Sequence, residues 1–157
     1  MSETINERLM ARGIELPDAP APAAAYVPYV ISGATLYISG QLPMREGQVN
    51  ITGQLAGDED IEAGQQAAEL CAINILAQAN AALNGDMDRI TRLIKLQGFV
   101  ASTPDFHKQH LVINGASNLL ADILGERGAH ARAAVGMAAL PFNASVEIDA
   151  IFEIGSE

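Results

Sequence analysis

The chain has no tryptophan, one cysteine and few aromatic or basic residues. Aromatic residues make up 4% of its 157 residues against 49% hydrophobic residues overall, so the core must consist mainly of Ala, Leu, Ile and Val. A single cysteine, Cys71, excludes an internal disulfide and a multi-cysteine metal cluster. Because Cys71 falls inside an alanine-rich run, we expect a buried and inert thiol.

Positive charge is also scarce. Nine basic residues against 19 acidic residues give a formal net charge of -10, and a field of this sign repels phosphate backbones unless a basic patch overrides it. The basic residues are scattered, and only Arg89, Arg92 and Lys95 come close together. We therefore expect no nucleic-acid partner.

Long apolar runs are missing too. No run approaches the roughly 20 residues that span a bilayer, and residues 1–8 are charged, without the apolar segment of a secretory signal. The sequence predicts no membrane partner and a cytoplasmic location. Its length predicts a single domain over residues 1–157, in which residues 1–25 form an N-terminal arm with a proline-rich segment at 16–22.

The order of predicted elements indicates a two-layer α+β domain. A short helix over Glu3 to Arg12 precedes the proline-rich segment. The later predicted elements are a hairpin of strands Tyr26 to Ser32 and Thr35 to Ser39, a helix from Ile61 to Leu83, a strand from Ile90 to Ser102, a helix over 105–124, and two C-terminal strands. This order predicts a mixed sheet with two helices on one face.

The long strand from Ile90 to Ser102 carries apolar residues on both faces. Alternation places Ile94, Leu96, Gly98 and Val100 on one face, and Leu93, Lys95, Gln97 and Phe99 on the other. A sheet covered on one side only would show a polar second face. We therefore expect the second face to be buried as well, by another subunit.

The C-terminal strands are predicted to form a hairpin that turns at residues 140–143. Alternation places Val146 and every second residue after it toward the core, with Glu147 and Asp149 on the opposite face. Pairing within this hairpin would turn Val135 and Met137 toward the core. It would place Arg132 on the same sheet surface as the carboxylates.

Two interpretations of Arg132 and its acidic neighbours remain open at this point. One is a solvated ion pair between strands, which contributes little energy. The other is a binding site for a carboxylate, because the guanidinium fork matches a carboxylate in a bidentate way. Small neighbours such as Ala133, Ala134 and Gly136 would leave room for the ligand.

Other chemistry finds little support in the sequence. His107 and His110 lie three residues apart on a predicted helix, but two histidines without an obvious third ligand predict no metal site. Phosphate-binding glycine loops are missing. The segment Ser39-Gly40-Gln41 has no neighbouring histidine that would activate the serine.

Several short motifs together resemble one known family. They are Tyr26-Val27, the run from Leu36 to Pro43, Asp105-Phe106, the segment from Asn114 to Ser117, the run from His130 to Val135 and the run from Val146 to Ile151. In this order and approximate spacing they resemble the RidA/YjgF family of reactive intermediate deaminases. The segment Asn-Gly-Ala-Ser at 114–117 is most similar to the subgroup described as endoribonucleases of the L-PSP type.

The resemblance implies a chorismate-mutase-like fold that assembles as a homotrimer with sites in the clefts between subunits. It implies hydrolysis of enamines and imines such as 2-aminoacrylate to 2-oxo acids and ammonia, without a cofactor. The partner would be a small metabolite that bears a carboxylate.

The resemblance also assigns residues by position. Arg132 matches the arginine that binds the substrate carboxylate, Glu147 the glutamate that orients or activates water, and Tyr26 the tyrosine that lines the cleft. Ser39, Gly40 and Asn114 match other substrate-binding positions. Two differences from the family pattern bear on the substrate range. Ala134 stands where family deaminases often have a cysteine, and the stretch between Phe106 and Asn114 is longer than in typical members.

Two alternatives to deamination remain. The protein could be a noncatalytic, carboxylate-binding or regulatory member of the family, or an endoribonuclease. The acidic charge and the lack of a basic surface with aromatic residues argue against RNA cleavage.

Overall fold

A five-stranded mixed sheet, covered on one face by two long helices, forms the body of the protein. The computed structural model describes residues 2–157. Its elements are α1 (Ile5–Ala11), β1 (Tyr29–Ser32), β2 (Thr35–Gln41), β3 (Met44–Arg45), β4 (Gln48–Val49), α2 (Ile61–Ala82), β5 (Ile90–Ala101), α3 (Gln109–Leu124), β6 (Ala131–Met137) and β7 (Val146–Ile154). The sheet order is β1-β2-β7-β5-β6, and β3 with β4 forms a separate small ribbon. The predicted two-layer α+β architecture is confirmed.

The N-terminal helix α1 is short but well capped. Thr4 and Glu7 form a capping box, in which each side chain accepts a hydrogen bond from the other residue's backbone N–H. Gly13 follows the helix with a φ of 66°, which glycine tolerates best. Ile5 and Leu9, one turn apart, pack into the core.

Small residues let α2 pack closely against its neighbours. A Cβ added at Gly115 of α3 would lie 2.3 Å from the Gln65 carbonyl oxygen of α2, so this helix contact requires glycine. Cys71 lies in the same helix, fully buried, with its sulfur 3.7 Å from the Val146 carbonyl oxygen. Burial raises the pKa of the Cys71 thiol well above its usual value, as expected for an inert cysteine.

Strand β5 is irregular, and this corrects the predicted alternation. The pairing of β5 with β7 shifts in register between Ile90 and Arg92 and again between Leu93 and Lys95. As a result Leu93 is fully buried in the core and Ile94 is 37% exposed on the opposite face. Strict alternation predicts Ile94 on the same face as Leu96 and Leu93 on the other face, and the register shifts reverse both positions.

The predicted C-terminal hairpin is wrong. Strand β6 pairs in parallel with β5, and both edges of β7 are occupied by β2 and β5. The unit β5-α3-β6 is a strand-helix-strand crossover, which joins parallel neighbours. Strand β6 therefore lies at the edge of the sheet, two positions away from β7.

The side chains of β6 point opposite to the prediction. Val135 and Met137 are 45% and 38% exposed on the face away from the helices. Arg132 is paired with Leu96 of β5, which is fully buried, so both lie on the helix-covered face. On β7 the prediction is confirmed, since Val146 and Ile148 are buried and Glu147 lies on the opposite, open face.

Within the described part of the chain, no helix is long and apolar enough to cross a membrane.

Candidate active site

The six candidate site residues fall into two groups in the folded chain. One group, on β6 and α3, contains Arg132 and Asn114. The other contains Tyr26, Ser39, Gly40 and Glu147 and is centred on the junction of β2 and β7. Arg132 lies on the helix-covered face of the sheet and Glu147 on the open face, so the predicted surface shared by the two residues does not exist within one chain.

Helix α3 holds the Arg132 guanidinium from one side. One terminal nitrogen donates to Asn114 Oδ1 at 2.9 Å and to Ser117 Oγ at 3.2 Å. The other terminal nitrogen donates to the backbone carbonyl of His110 at 3.1 Å. All three partners are neutral, and these contacts account for at most three of the five guanidinium N–H groups. At least two N–H groups and the full positive charge remain for a ligand.

Ser117 is itself held by His130, to which the sequence motifs assigned no role. Ser117 Oγ lies 2.9 Å from His130 Nε2, and His130 Nδ1 lies 2.6 Å from the Gly128 carbonyl oxygen. The sequence did contain a signal for this cluster. Asn114 and Ser117 are three residues apart on a helix and share a face, and His130, immediately before β6, precedes Arg132 by two residues of extended chain.

A bulge in β2 brings Gly40 against Glu147. The pairing of β2 with β7 shifts in register between Ile38 and Gln41, and Ser39 and Gly40 lie in this irregular segment. A Cβ added at Gly40 would lie 2.9 Å from the carboxyl carbon and from Oε1 of Glu147. The Glu147 carboxyl group therefore occupies the space that a larger residue at position 40 would need.

Glu147 sits in an environment that favours its neutral form. Burial, and secondarily the nearby Asp149 carboxylate, raises the pKa of Glu147. Burial likewise raises the pKa of Asp149, and Lys95 opposes that effect. A carboxyl group with a raised pKa is better suited to exchanging protons with a substrate or water than one at its usual value.

The segment that links the N-terminal arm to β1 adds Tyr26 to this group. Ser39 ties this segment to the bulge, because its hydroxyl donates to the Val27 carbonyl at 2.7 Å and its N–H donates to the Pro28 carbonyl at 2.9 Å. Tyr26 is 47% exposed, and its hydroxyl accepts a hydrogen bond from the Ala23 N–H at 3.4 Å.

A cavity of about 150 Å³ lies between the arm and the bulge. Its lining includes Tyr26, Gly40, Leu42, Met44 and Phe142. Phe142 has a φ of 55°, and its side chain is 67% exposed. A larger cavity, of about 640 Å³, is lined by other parts of the arm, the β3–β4 ribbon and α2, and contains none of the candidate residues. Of these two cavities, the smaller one is lined by candidate site residues, Tyr26 and Gly40.

Residues 2–157 contain neither an ion pair of Arg132 nor a group of side chains that could bind a metal. Arg132 forms no salt bridge there. No three His, Cys, Asp or Glu side chains in this part of the chain lie close enough to hold a metal ion.

Comparison with known proteins identifies the family of this chain. Residues 6–153 match the family model described as "YjgF/chorismate_mutase-like, putative endoribonuclease". The chain is 47% identical over 156 residues to Protein TCP17 of Trypanosoma cruzi, which covers 99% of this chain and 97% of that protein.

Two solved structures show the same fold. The protein Atu1372 of Agrobacterium tumefaciens, whose function is unknown, is 63% identical over 96% of this chain and 92% of its own, with a TM-score of 0.89. RidA from the Antarctic bacterium Psychrobacter is 29% identical over 87% of this chain and 94% of its own, with a TM-score of 0.62. The predicted family is confirmed: the chain belongs to the YjgF/RidA-like family and has its chorismate-mutase-like fold.

Proposed function

We propose that the protein hydrolyses reactive enamines and imines of the 2-aminoacrylate type to 2-oxo acids and ammonia. The observation that carries the proposal is the hydrogen bonding of the Arg132 guanidinium. Its guanidinium is held by neutral groups only and keeps at least two N–H groups for a ligand. A charged, oriented donor pair of this kind fits the carboxylate of a 2-imino acid.

Glu147 meets the second requirement, which is a group that accepts and donates protons. The imine carbon is already electrophilic, so hydrolysis needs a positioned water and a base. Water adds to the C=N carbon while Glu147 accepts its proton, and the same proton then goes to the nitrogen. In the resulting carbinolamine the hydroxyl proton passes to the nitrogen, the C–N bond breaks, ammonia leaves and the carbonyl of the 2-oxo acid forms. An enamine first takes up a proton at carbon to give the imine, and no cofactor enters these steps.

The separation of the two groups supports a site shared between subunits. Arg132 and Glu147 lie on opposite faces of one sheet, so they cannot act on the same small molecule within one chain. The open face carries exposed apolar side chains at Tyr37, Ile94 and Val135, each between 37% and 46% exposed. We propose that three chains pack through these faces as a homotrimer, and that each cleft combines the Arg132 group, on the edge strand β6 of one chain, with the Glu147 group of its neighbour.

The remaining candidate residues take roles from their positions. Asn114 Oδ1 is occupied by Arg132, which leaves the Asn114 amide N–H groups for the substrate. Gly40, Ser39 and Tyr26 line or support the cavity next to Glu147. This cavity would receive the substrate side chain.

A carboxylate-binding protein without turnover is the second candidate. Ala134, which stands where family deaminases often have a cysteine, favours it, since the Arg132 site alone is sufficient for binding.

One experiment tests both candidates. The purified protein is incubated with freshly generated 2-aminoacrylate or 2-iminobutanoate, and the release of ammonia and 2-oxo acid is compared with the spontaneous rate. Acceleration that Arg132→Ala abolishes supports deamination. Binding of 2-oxobutanoate without any acceleration supports the binding protein and contradicts the deaminase.

A further inference from the structure

A chain of hydrogen bonds stands behind Arg132 and is not part of the chemistry described above. It runs from the Gly128 carbonyl through His130 and Ser117 to the guanidinium. We propose that Ser117 and His130 are positioning residues, which set the orientation in which Arg132 meets a carboxylate. This inference rests on the proposed role of Arg132 in the function above.

The direction of each hydrogen bond follows from the partners. A carbonyl oxygen only accepts, so His130 Nδ1 must carry a proton to bond Gly128 at 2.6 Å. In the neutral ring Nε2 then accepts, and the Ser117 hydroxyl donates to it. With its hydrogen directed at His130, Ser117 Oγ presents lone pairs to Arg132. The histidine thus fixes Ser117 as an acceptor for the guanidinium.

The three acceptors on α3 form a row that matches a planar donor. His110, Asn114 and Ser117 follow at spacings of four and three residues, which places them along one side of the helix. The Asn114 amide oxygen and the Ser117 hydroxyl oxygen accept from one terminal nitrogen, and the His110 backbone carbonyl accepts from the other. Three hydrogen bonds on two nitrogens restrict rotation of the guanidinium plane, so the free N–H groups face a defined direction. Of the three acceptors, only Ser117 is held in turn by another side chain through its acceptor atom.

A purely structural role is the competing explanation, since the same contacts also join α3 to β6. The two roles differ in their dependence on Arg132. A positioning residue matters to the ligand only while Arg132 is present, whereas a structural residue matters equally without it.

The test is a double-mutant cycle on Ser117→Ala and Arg132→Ala, read by the dissociation constant of 2-oxobutanoate. We expect Ser117→Ala to weaken binding about 5- to 10-fold in the wild-type background and less than about twofold in the Arg132→Ala background. Equal weakening in both backgrounds, or no weakening in either, would overturn the proposal. Asn118→Ala, the next and exposed residue of α3, is the matched control and should leave binding unchanged.

Two variants of His130 distinguish the role of its Nε2 atom from that of its Nδ1 atom. In His130→Gln the amide can reach the position of Nε2 and retain the bond to Ser117, whereas in His130→Asn the amide replaces only Nδ1. We expect His130→Gln to bind the 2-oxo acid within about threefold of wild type and His130→Asn to behave like Ser117→Ala. If His130→Asn bound the 2-oxo acid more tightly than His130→Gln, the proposed chain of hydrogen bonds through Ser117 would be contradicted.

A readout without substrate keeps this inference separate from the proposed function. The NMR signal of the Arg132 side-chain N–H groups reports rotation of the guanidinium, and Ser117→Ala should make that rotation faster in the intact assembly. If the wild type does not hydrolyse imines but rotation responds, the function fails and the positioning role stands. If the wild type hydrolyses imines while rotation and binding are unchanged by Ser117→Ala, the positioning role fails alone.

Discussion

Gly40 lies against the Glu147 carboxyl group so closely that a methyl group at position 40 would approach the carboxyl carbon to 2.9 Å. The close approach depends on the bulge in β2, where Ser39 and Gly40 leave the regular ladder with β7. Position 40 therefore controls where the carboxyl group of Glu147 lies.

Gly40→Ala should displace the Glu147 carboxyl group without unfolding the protein. The atoms that would be contacted belong to the end of a flexible side chain, so we expect a small change in Tm. Because misplacement of a catalytic group by about 1 Å costs up to about 100-fold in rate, kcat should fall about 10- to 100-fold. Steady-state kinetics and thermal unfolding check this. Gly155→Ala, whose nearest contact would be an ordinary 3.6 Å, is the control and should keep wild-type kcat.

Arg132→Ala should abolish most of the turnover. Hydrogen bonds to charged groups contribute about 1.5 to 3 kcal/mol each, so losing two of them should lower kcat/KM by about two to four orders of magnitude. Arg132→Lys keeps the charge but loses the fork, and should recover only part of the activity. If Arg132→Ala retains the native assembly and hydrolyses imines at the wild-type rate, the site assignment is wrong.

Glu147→Gln should reduce kcat more than it weakens binding of a 2-oxo acid, because the amide cannot accept the proton of water. The wild-type rate should rise with pH as Glu147 ionises, over a range above the ordinary value of about 4.5, since burial raises the pKa of Glu147. Kinetics from pH 4 to pH 8 check this. An unchanged pH profile in Glu147→Gln would contradict the role of Glu147 as the base.

The same pKa shift predicts a stability effect. A carboxyl group whose pKa is raised in the folded state stabilises the fold at low pH, and this contribution is lost as pH rises through the folded pKa. Glu147→Gln stays neutral throughout, so its free energy of unfolding relative to wild type should increase from pH 4 to pH 7. Denaturant unfolding at both pH values measures this, and a decrease over that range would refute it.

Ile94→Glu should dissociate the assembly. Ile94 is 37% exposed on the open face of β5, so the charge would disturb the proposed subunit interface without entering the core. We expect trimers for the wild type and monomers for Ile94→Glu in sedimentation at micromolar concentration. Met10→Glu, at a residue that is 79% exposed on α1, is the matched control and should remain trimeric. A monomeric wild type would contradict the trimer.

Sequence patterning predicted the parts of the fold in which apolar and polar residues contrast strongly. Val146 and Ile148 alternate with acidic residues, and this period of two identified the core face of β7 correctly. The alanine-rich run from Ile61 to Leu83, which is almost free of helix breakers, likewise predicted α2 to within one residue of its end at Ala82. The family also followed from motifs along the chain.

The position of β6 depends on contacts that no local sequence pattern specifies. Its residues are mostly small, so alternation shows which of them share a face but not which face meets the core, and nothing local specifies the parallel pairing with β5 across the crossover. The bulges in β2 and β5 are set by pairing with β7 in the same way. Because such pairings are contacts between distant parts of the chain, the separation of Arg132 from Glu147 and the bonds from His130 through Ser117 became visible only in the folded structure.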